Sequence, residues 1–161
     1  MYTVALQKLI DKMSLENCTP DVDISQKVIN QSEVNRPALQ LAGFFEHFDS
    51  TRIQIIGNVE EAYIHQLTSE RKIDVMNQIM ECKIPCLVYC RDIEPDKDVL
   101  ELANRHQIPV LRSHKTTSSF MAEVIRWLNV ELAPRISIHG VLVDVFGEGV
   151  LIMGESGIGK S

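Results

Sequence analysis

Residues 154–161 read Gly-Glu-Ser-Gly-Ile-Gly-Lys-Ser, and these eight positions restrict the surrounding fold more than any other stretch of the chain. They fit G-x-x-x-x-G-K-[ST] at every fixed position, with Gly154, Gly159, Lys160 and Ser161. Glycines let a backbone curl around phosphate oxygens without a Cβ in the way. Successive N–H groups then point inward as an anion nest. In such a loop Lys160 supplies a point charge to the β- and γ-phosphates of a nucleotide, and the Ser161 hydroxyl is a ligand for Mg²⁺. The loop needs an apolar strand before it, and Val150-Leu151-Ile152-Met153 fits. It also needs the N-terminus of a following helix, which supplies free amides and the positive end of a dipole. The last residue here is Ser161, so the expectation is that residues 1–161 alone bind ATP weakly or not at all.

Upstream, two periodicities alternate. Val4, Leu6, Leu9, Ile10 and Met13 have helical spacing over 3–13. A short extended segment is expected at 27–29, and then a helix over 38–48, started by Pro37. Residues 52–57 are strand-like, Asn58 is a candidate cap for a helix over 59–67, and Ser69 is one for a helix over 70–81. Further strands are expected at 86–90 and 108–111, with helices at 95–107 and 120–132; a hydroxyl near Ser118 would cap the last. Strands alternating with helices imply an α/β fold, a mostly parallel sheet with flanking helices. After Ala133-Pro134 the texture becomes β-branched, with Gly147-Glu148-Gly149 between two apolar runs, and a β-hairpin is expected there. Two strands alone are marginal in water. Residues 1–130 therefore read as an N-terminal α/β domain, and 131–161 as the opening of a second, incomplete one.

Composition narrows the function classes. Sixteen Lys and Arg against 22 Asp and Glu give a net charge of −6, which disfavours a general nucleic-acid binder. No apolar run approaches the roughly 20 residues of a membrane span, and the N-terminal residues lack the apolar core of a secretory signal. Cys18, Cys82, Cys86 and Cys90 then read as reduced thiols of a cytoplasmic protein. Cys82, Cys86 and Cys90 repeat every four residues, a metal-ligand spacing on a helix, but Pro85 interrupts the run. Buried structural thiols are the reading adopted.

From Ser137 to Asp144, at Gly147, from Gly149 to Ile152 and from Gly154 to Ser161, the chain resembles the bacterial HPr kinase/phosphorylase family. That family carries HG-V-L-V-D, a glycine turn, G-V-L-I and a loop of the form G-[DE]-S-G-x-G-K-S. Cys90-Arg91 and Arg112-Ser113 through Ser118 resemble its N-terminal domain more loosely. The resemblance implies a cytoplasmic, typically hexameric enzyme of carbon catabolite repression. It would phosphorylate a serine of the phosphocarrier HPr with ATP or pyrophosphate, and remove that phosphate with inorganic phosphate to give pyrophosphate. It implies His139 and Lys160 as catalytic residues, Gly154, Glu155, Ser156, Gly157, Ile158, Gly159, Lys160 and Ser161 as the ATP-binding loop, and Ser161 as the Mg²⁺ ligand. The family's catalytic aspartate, glutamate metal ligand and arginine would follow Ser161, and Asp144 is not that aspartate.

Two other readings stay open: a fragment of another P-loop nucleotidase, and a non-catalytic sensing or oligomerisation module. Residues 114–119 (His-Lys-Thr-Thr-Ser-Ser) combine hydroxyls, a cation and a helix start, which suits an anion or plain N-capping; capping is the reading adopted. His47, His65 and His106 read as surface residues, Trp127 as core or interdomain packing, and Glu60, Glu61, Glu70, Arg71 and Lys72 as solvated helix faces.

Overall fold

The computed structural model describes residues 2–138 and 141–144. The chain starts with strand β1 (Val4–Ala5) and helix α1 (Leu6–Met13). Leu6, Leu9, Ile10 and Met13 recur on one face of α1 and are all buried. The helix ends where Ser14 turns left-handed. The helix expected from residue 3 starts later because Val4 and Ala5 pair antiparallel with β3 (Val28–Ile29). Between them, β2 (Glu16–Asn17) leads to Thr19, whose buried hydroxyl accepts the Val110 amide at 3.0 Å.

Strand β4 (Val34–Asn35) is followed by α2 (Ala38–Leu41), much shorter than the expected 38–48. Gly43 takes a φ of +97° and turns the chain away. The sheet then builds through β5 (Ile53–Ile56), α3 (Asn58–Gln66), α4 (Ser69–Glu81), β6 (Leu87–Tyr89), α5 (Lys97–His106), β7 (Val110–Arg112) and α6 (Thr117–Glu131). Spatial order is β2-β7-β6-β5-β4; β4 to β7 run parallel and β2 antiparallel at one edge. This is the expected mixed α/β architecture.

Side chains alternate across the sheet with the period of two that strands impose. Ile53, Ile55, Cys86, Val88, Cys90 and Leu111 face α1 and α6, meeting Leu6, Leu9, Phe120, Val124 and Leu128. Ile56, Leu87, Tyr89 and Val110 face the other way, onto α2 to α5, meeting Leu41, Ile64, Met76, Ile79, Val99 and Leu102. Helices therefore cover both faces. Gln54 is wholly buried among the second group and is satisfied by an amide chain: Asn35 donates to Gln54 at 2.7 Å and to Gln40 at 3.2 Å.

Farther on, β8 (Arg135–Ile138) pairs antiparallel with β9 (Val141–Asp144), from Arg135 opposite Asp144 to Ile138 opposite Val141. The hairpin expected about 147–149 lies outside the described residues.

Candidate functional site

Every residue expected to handle a nucleotide lies outside the described residues: His139, and Gly154, Glu155, Ser156, Gly157, Ile158, Gly159, Lys160 and Ser161. What the structure does describe is the carboxyl edge of the parallel sheet. There the chain leaves β4 at Arg36, β5 at Gly57, β6 at Cys90-Arg91-Asp92 and β7 at Ser113 to Thr116.

The junction of β5 and α3 is the most tightly built part of this edge. Glu60 folds back so that its Oε1 accepts the Gly57 amide at 2.7 Å and the Arg36 guanidinium at 2.9 Å. Its side chain is 3% exposed, against 36% for Arg36. The carboxylate thus closes the N-terminus of α3, where it also complements the helix dipole. Expecting Glu60 on a solvated face was wrong, as was Asn58 as the cap. Gly57 occupies the cap position and Asn58 is already helical. The missed signal was glutamate three residues after the cap, the second half of a capping box. A Cβ on Gly57 would sit 2.5 Å from Thr117 Oγ1 and 2.8 Å from the Arg36 guanidinium, so both groups close over a position that only glycine leaves open.

Thr117 opens α6. The cap is Thr116, whose hydroxyl accepts the Ser119 amide at 3.2 Å; a hydroxyl near Ser118 was expected, and the one used lies two residues earlier. The Thr117 hydroxyl is buried beside the Cys90 thiol and is placed as its hydrogen-bond partner. Arg91 and Asp92 both adopt left-handed backbone. The amide of Arg91 donates to Lys115 O at 2.8 Å and that of Asp92 to Ser113 O at 3.0 Å, which ties the ends of β6 and β7 together. His114 pairs with Asp92, and Lys115 with Glu123 at 3.3 Å.

Cys86 and Cys90 are wholly buried and all four cysteines are free thiols, which agrees with structural thiols at these two positions. Cys82 is half-buried at the end of α4, beside the Gln78 carbonyl. Burial pushes the Cys86 thiol up to about 12. Burial likewise pushes Cys90 up to about 11, against the opposing pull of Arg36 and Arg91. The Tyr89 hydroxyl is raised by burial too. The native state therefore holds protons that the unfolded chain gives up at about pH 9 (the thiols) to 10 (the tyrosine). Stability from these groups is intact below that point and is lost as pH rises through the folded values. Each thiol contributes a slope of at most about 1.4 kcal/mol per pH unit. Urea midpoints measured from about pH 8 to pH 10.5 should fall, and replacing Cys86 and Cys90 by alanine should flatten the decline.

On the opposite layer, Glu61, His65 and Asp96 bring one ligand atom each within 4.8 Å of one another. Lys72 already serves this cluster. Its ammonium lies 3.0 Å from Asp96 and 3.4 Å from Asp98, its side chain is only 15% exposed, and hydrogen bonding to Asp96 raises its affinity for the proton. Lys72 and Glu61, whose side chain is 17% exposed, are thus further expected surface charges that the fold partly buries. His65 and His47 are exposed, while His106 is partly buried against Asn77 at 2.7 Å. Trp127 packs partly buried against the α1–α6 layer and lines a shallow depression of about 250 Å³ with Lys12, Arg126 and Val130.

Comparison with known proteins finds two matching families: HPr Serine kinase N terminus over residues 4–128 and HPr Serine kinase C-terminal domain over 130–161. Curated relatives called HPr kinase/phosphorylase are 64% identical in Lachnoclostridium phytofermentans and 42% identical in Caldicellulosiruptor bescii. Each alignment covers 100% of this chain and 52% of the relative, so the chain spans about half the length of the relatives it matches. Among solved structures, the CBS and DRTGG domains of the regulatory region of a Clostridium perfringens pyrophosphatase are similar over 76% of this chain and 46% of that one. Identity there is 19% and the TM-score 0.48, too distant a likeness to bear on function.

Proposed function

The chain belongs to the HPr serine kinase family, and on that premise we propose that it forms the N-terminal half of a bifunctional HPr kinase/phosphorylase. Residues 1–130 form an α/β domain, and 131–161 open the catalytic domain with a hairpin and the nucleotide loop. In the forward direction a serine oxygen of HPr attacks the γ-phosphorus of ATP, and the bond to the β-phosphate oxygen breaks. The serine proton passes to a general base, for which the resemblance implies an aspartate after Ser161. Pyrophosphate serves as an alternative donor. In reverse, an oxygen of inorganic phosphate attacks the phosphoserine phosphorus, giving pyrophosphate and free serine.

Within this chain, the amides of 154–161 hold the phosphate tail, Lys160 neutralises charge gathering on the transferred group, and His139 donates a hydrogen bond to phosphate. The Ser161 hydroxyl is the kind of hard oxygen donor that Mg²⁺ takes, and the ion would supply further charge neutralisation there. Phosphorolysis is the microscopic reverse of the pyrophosphate-dependent transfer, and the ATP-dependent transfer passes through a transition state of the same kind, so the same positive groups serve both directions. Hexameric assembly, a cytoplasmic location and control of carbon catabolite repression belong to the same reading.

The observation that carries it is the octapeptide, which fits at every fixed position and lies in the stretch matched to the family's C-terminal domain. The test is incubation of the full-length protein with ATP and purified HPr, read by mass spectrometry. Transfer to a serine of HPr supports the reading. ATP hydrolysis without transfer overturns it and points to an unrelated nucleotidase.

A further inference from the structure

Away from the nucleotide loop, one group of side chains offers metal-ligand chemistry that the kinase reading does not use. We infer that Glu61, His65 and Asp96 form a site for a divalent first-row transition-metal ion, held between α3 and the start of α5. This inference does not depend on the activity proposed above.

Local sequence sets the geometry. Glu61 and His65 stand four positions apart on α3, so both side chains leave the same face of the helix. Asp96 reaches them from the residue that caps α5. One donor atom from each lies within 4.8 Å of the other two. Small rotations of the exposed His65 and the partly exposed Asp96 bring all three to the roughly 2.0–2.2 Å at which nitrogen and carboxylate oxygen hold such an ion. Asp96 is the anomaly in this group. An aspartate at a helix start ordinarily accepts an amide of the first turn, yet this carboxylate makes no such bond. Its Oδ2 meets the Lys72 ammonium at 3.0 Å, and its Oδ1 accepts no hydrogen bond among the described residues. Charge is also unbalanced there. Glu61, Asp96 and Asp98 set three carboxylates against the single ammonium of Lys72, an excess that a divalent cation offsets.

The second, independent observation is Tyr89, at the end of β6. It is only 1% exposed, and its hydroxyl makes no hydrogen bond among the described residues. Glu61 and Asp96 are the carboxylates whose charge reaches that hydroxyl, so it is aimed at the cluster from the sheet side. A buried hydroxyl left without a partner costs free energy. Three protein ligands leave open positions on an ion, and water bound there would accept the Tyr89 proton as an outer-shell hydrogen bond. The donor set also selects the ion. One imidazole and two carboxylates suit Mn²⁺, Co²⁺ or Zn²⁺ rather than Ca²⁺, which takes oxygen ligands alone.

The test is titration of the nitrogen-15-labelled chain with Mn²⁺, without nucleotide, reading which amides the ion's unpaired electrons broaden. Saturable broadening centred on Glu61, His65 and Asp96 is expected, and Zn²⁺ should reverse it by displacement. Tyr89→Phe removes an outer partner and should weaken binding about tenfold. His65→Gln and Asp96→Asn each remove a ligand and should weaken it by more than that. Lys72→Met removes the competing ammonium and should tighten it. The rest of the spectrum reports that each variant is folded. Ser161→Ala should leave the broadening in place, which separates this site from the nucleotide loop. Broadening centred on other residues, or His65→Gln binding Mn²⁺ as tightly as the parent, overturns the assignment.

Discussion

Replacing Lys160 by alanine in the full-length protein is expected to slow phosphate transfer to HPr by about a thousandfold. Charge sets the size of the effect. Phosphoryl transfer asks the protein for positioning and electrostatic stabilisation rather than covalent chemistry. A lysine at the seventh position of the loop stands where charge accumulates on the transferred group. Because phosphorolysis of seryl-phosphorylated HPr gathers charge on the same transferred group in a transition state of the same kind, it should slow by a similar factor. Lys160→Arg restores charge but not the compact ammonium, and recovers only part of the rate. A loss in one direction only would show that Lys160 binds ATP without acting on the transferred phosphate.

The second large effect concerns stability. Arg36→Ala removes the guanidinium that meets Glu60 at 2.9 Å and leaves a carboxylate 3% exposed with the Gly57 amide as its remaining hydrogen bond. Breaking a buried pair by removing one partner costs about 3–5 kcal/mol. Arg36 is itself partly solvated, which places the expectation near the lower end, about 3 kcal/mol in urea denaturation. Adding Glu60→Gln to Arg36→Ala removes the stranded charge and should recover about half the loss. Equal stability of the parent and Arg36→Ala would show that the pair merely decorates the surface.

That pair also shows where sequence reading stops. Arg36 and Glu60 lie 24 residues apart, and helical periodicity places Glu60 beside Glu61 on what looks like a charged face. Only the folding of β4 beside β5 brings the arginine over the start of α3. Lys72 was hidden for the same reason, its partners Asp96 and Asp98 coming from the loop before α5 and from α5 itself. Long periodic elements were legible: α4, α5, β5 and β6 stand where apolar spacing puts them. Strands of two residues such as β2 and β4 were not, because two positions carry no period. Two caps fell one residue off, at Gly57 and Thr68 rather than Asn58 and Ser69, and the hydroxyl expected near Ser118 is that of Thr116. Neighbouring hydroxyls compete for the caps of α4 and α6, and backbone geometry decides among them. The nucleotide loop is the opposite case. Its chemistry is written in eight consecutive residues and requires no long-range partner to be recognised.

The most direct measurement is phosphorus NMR of the full-length protein with seryl-phosphorylated HPr and inorganic phosphate. The phosphoserine signal is expected to fall while a pyrophosphate signal grows by two phosphorus nuclei for each phosphoserine lost, and Lys160→Ala is expected to suppress both changes. Release of orthophosphate with no pyrophosphate, or no consumption of phosphoserine at all, would contradict it.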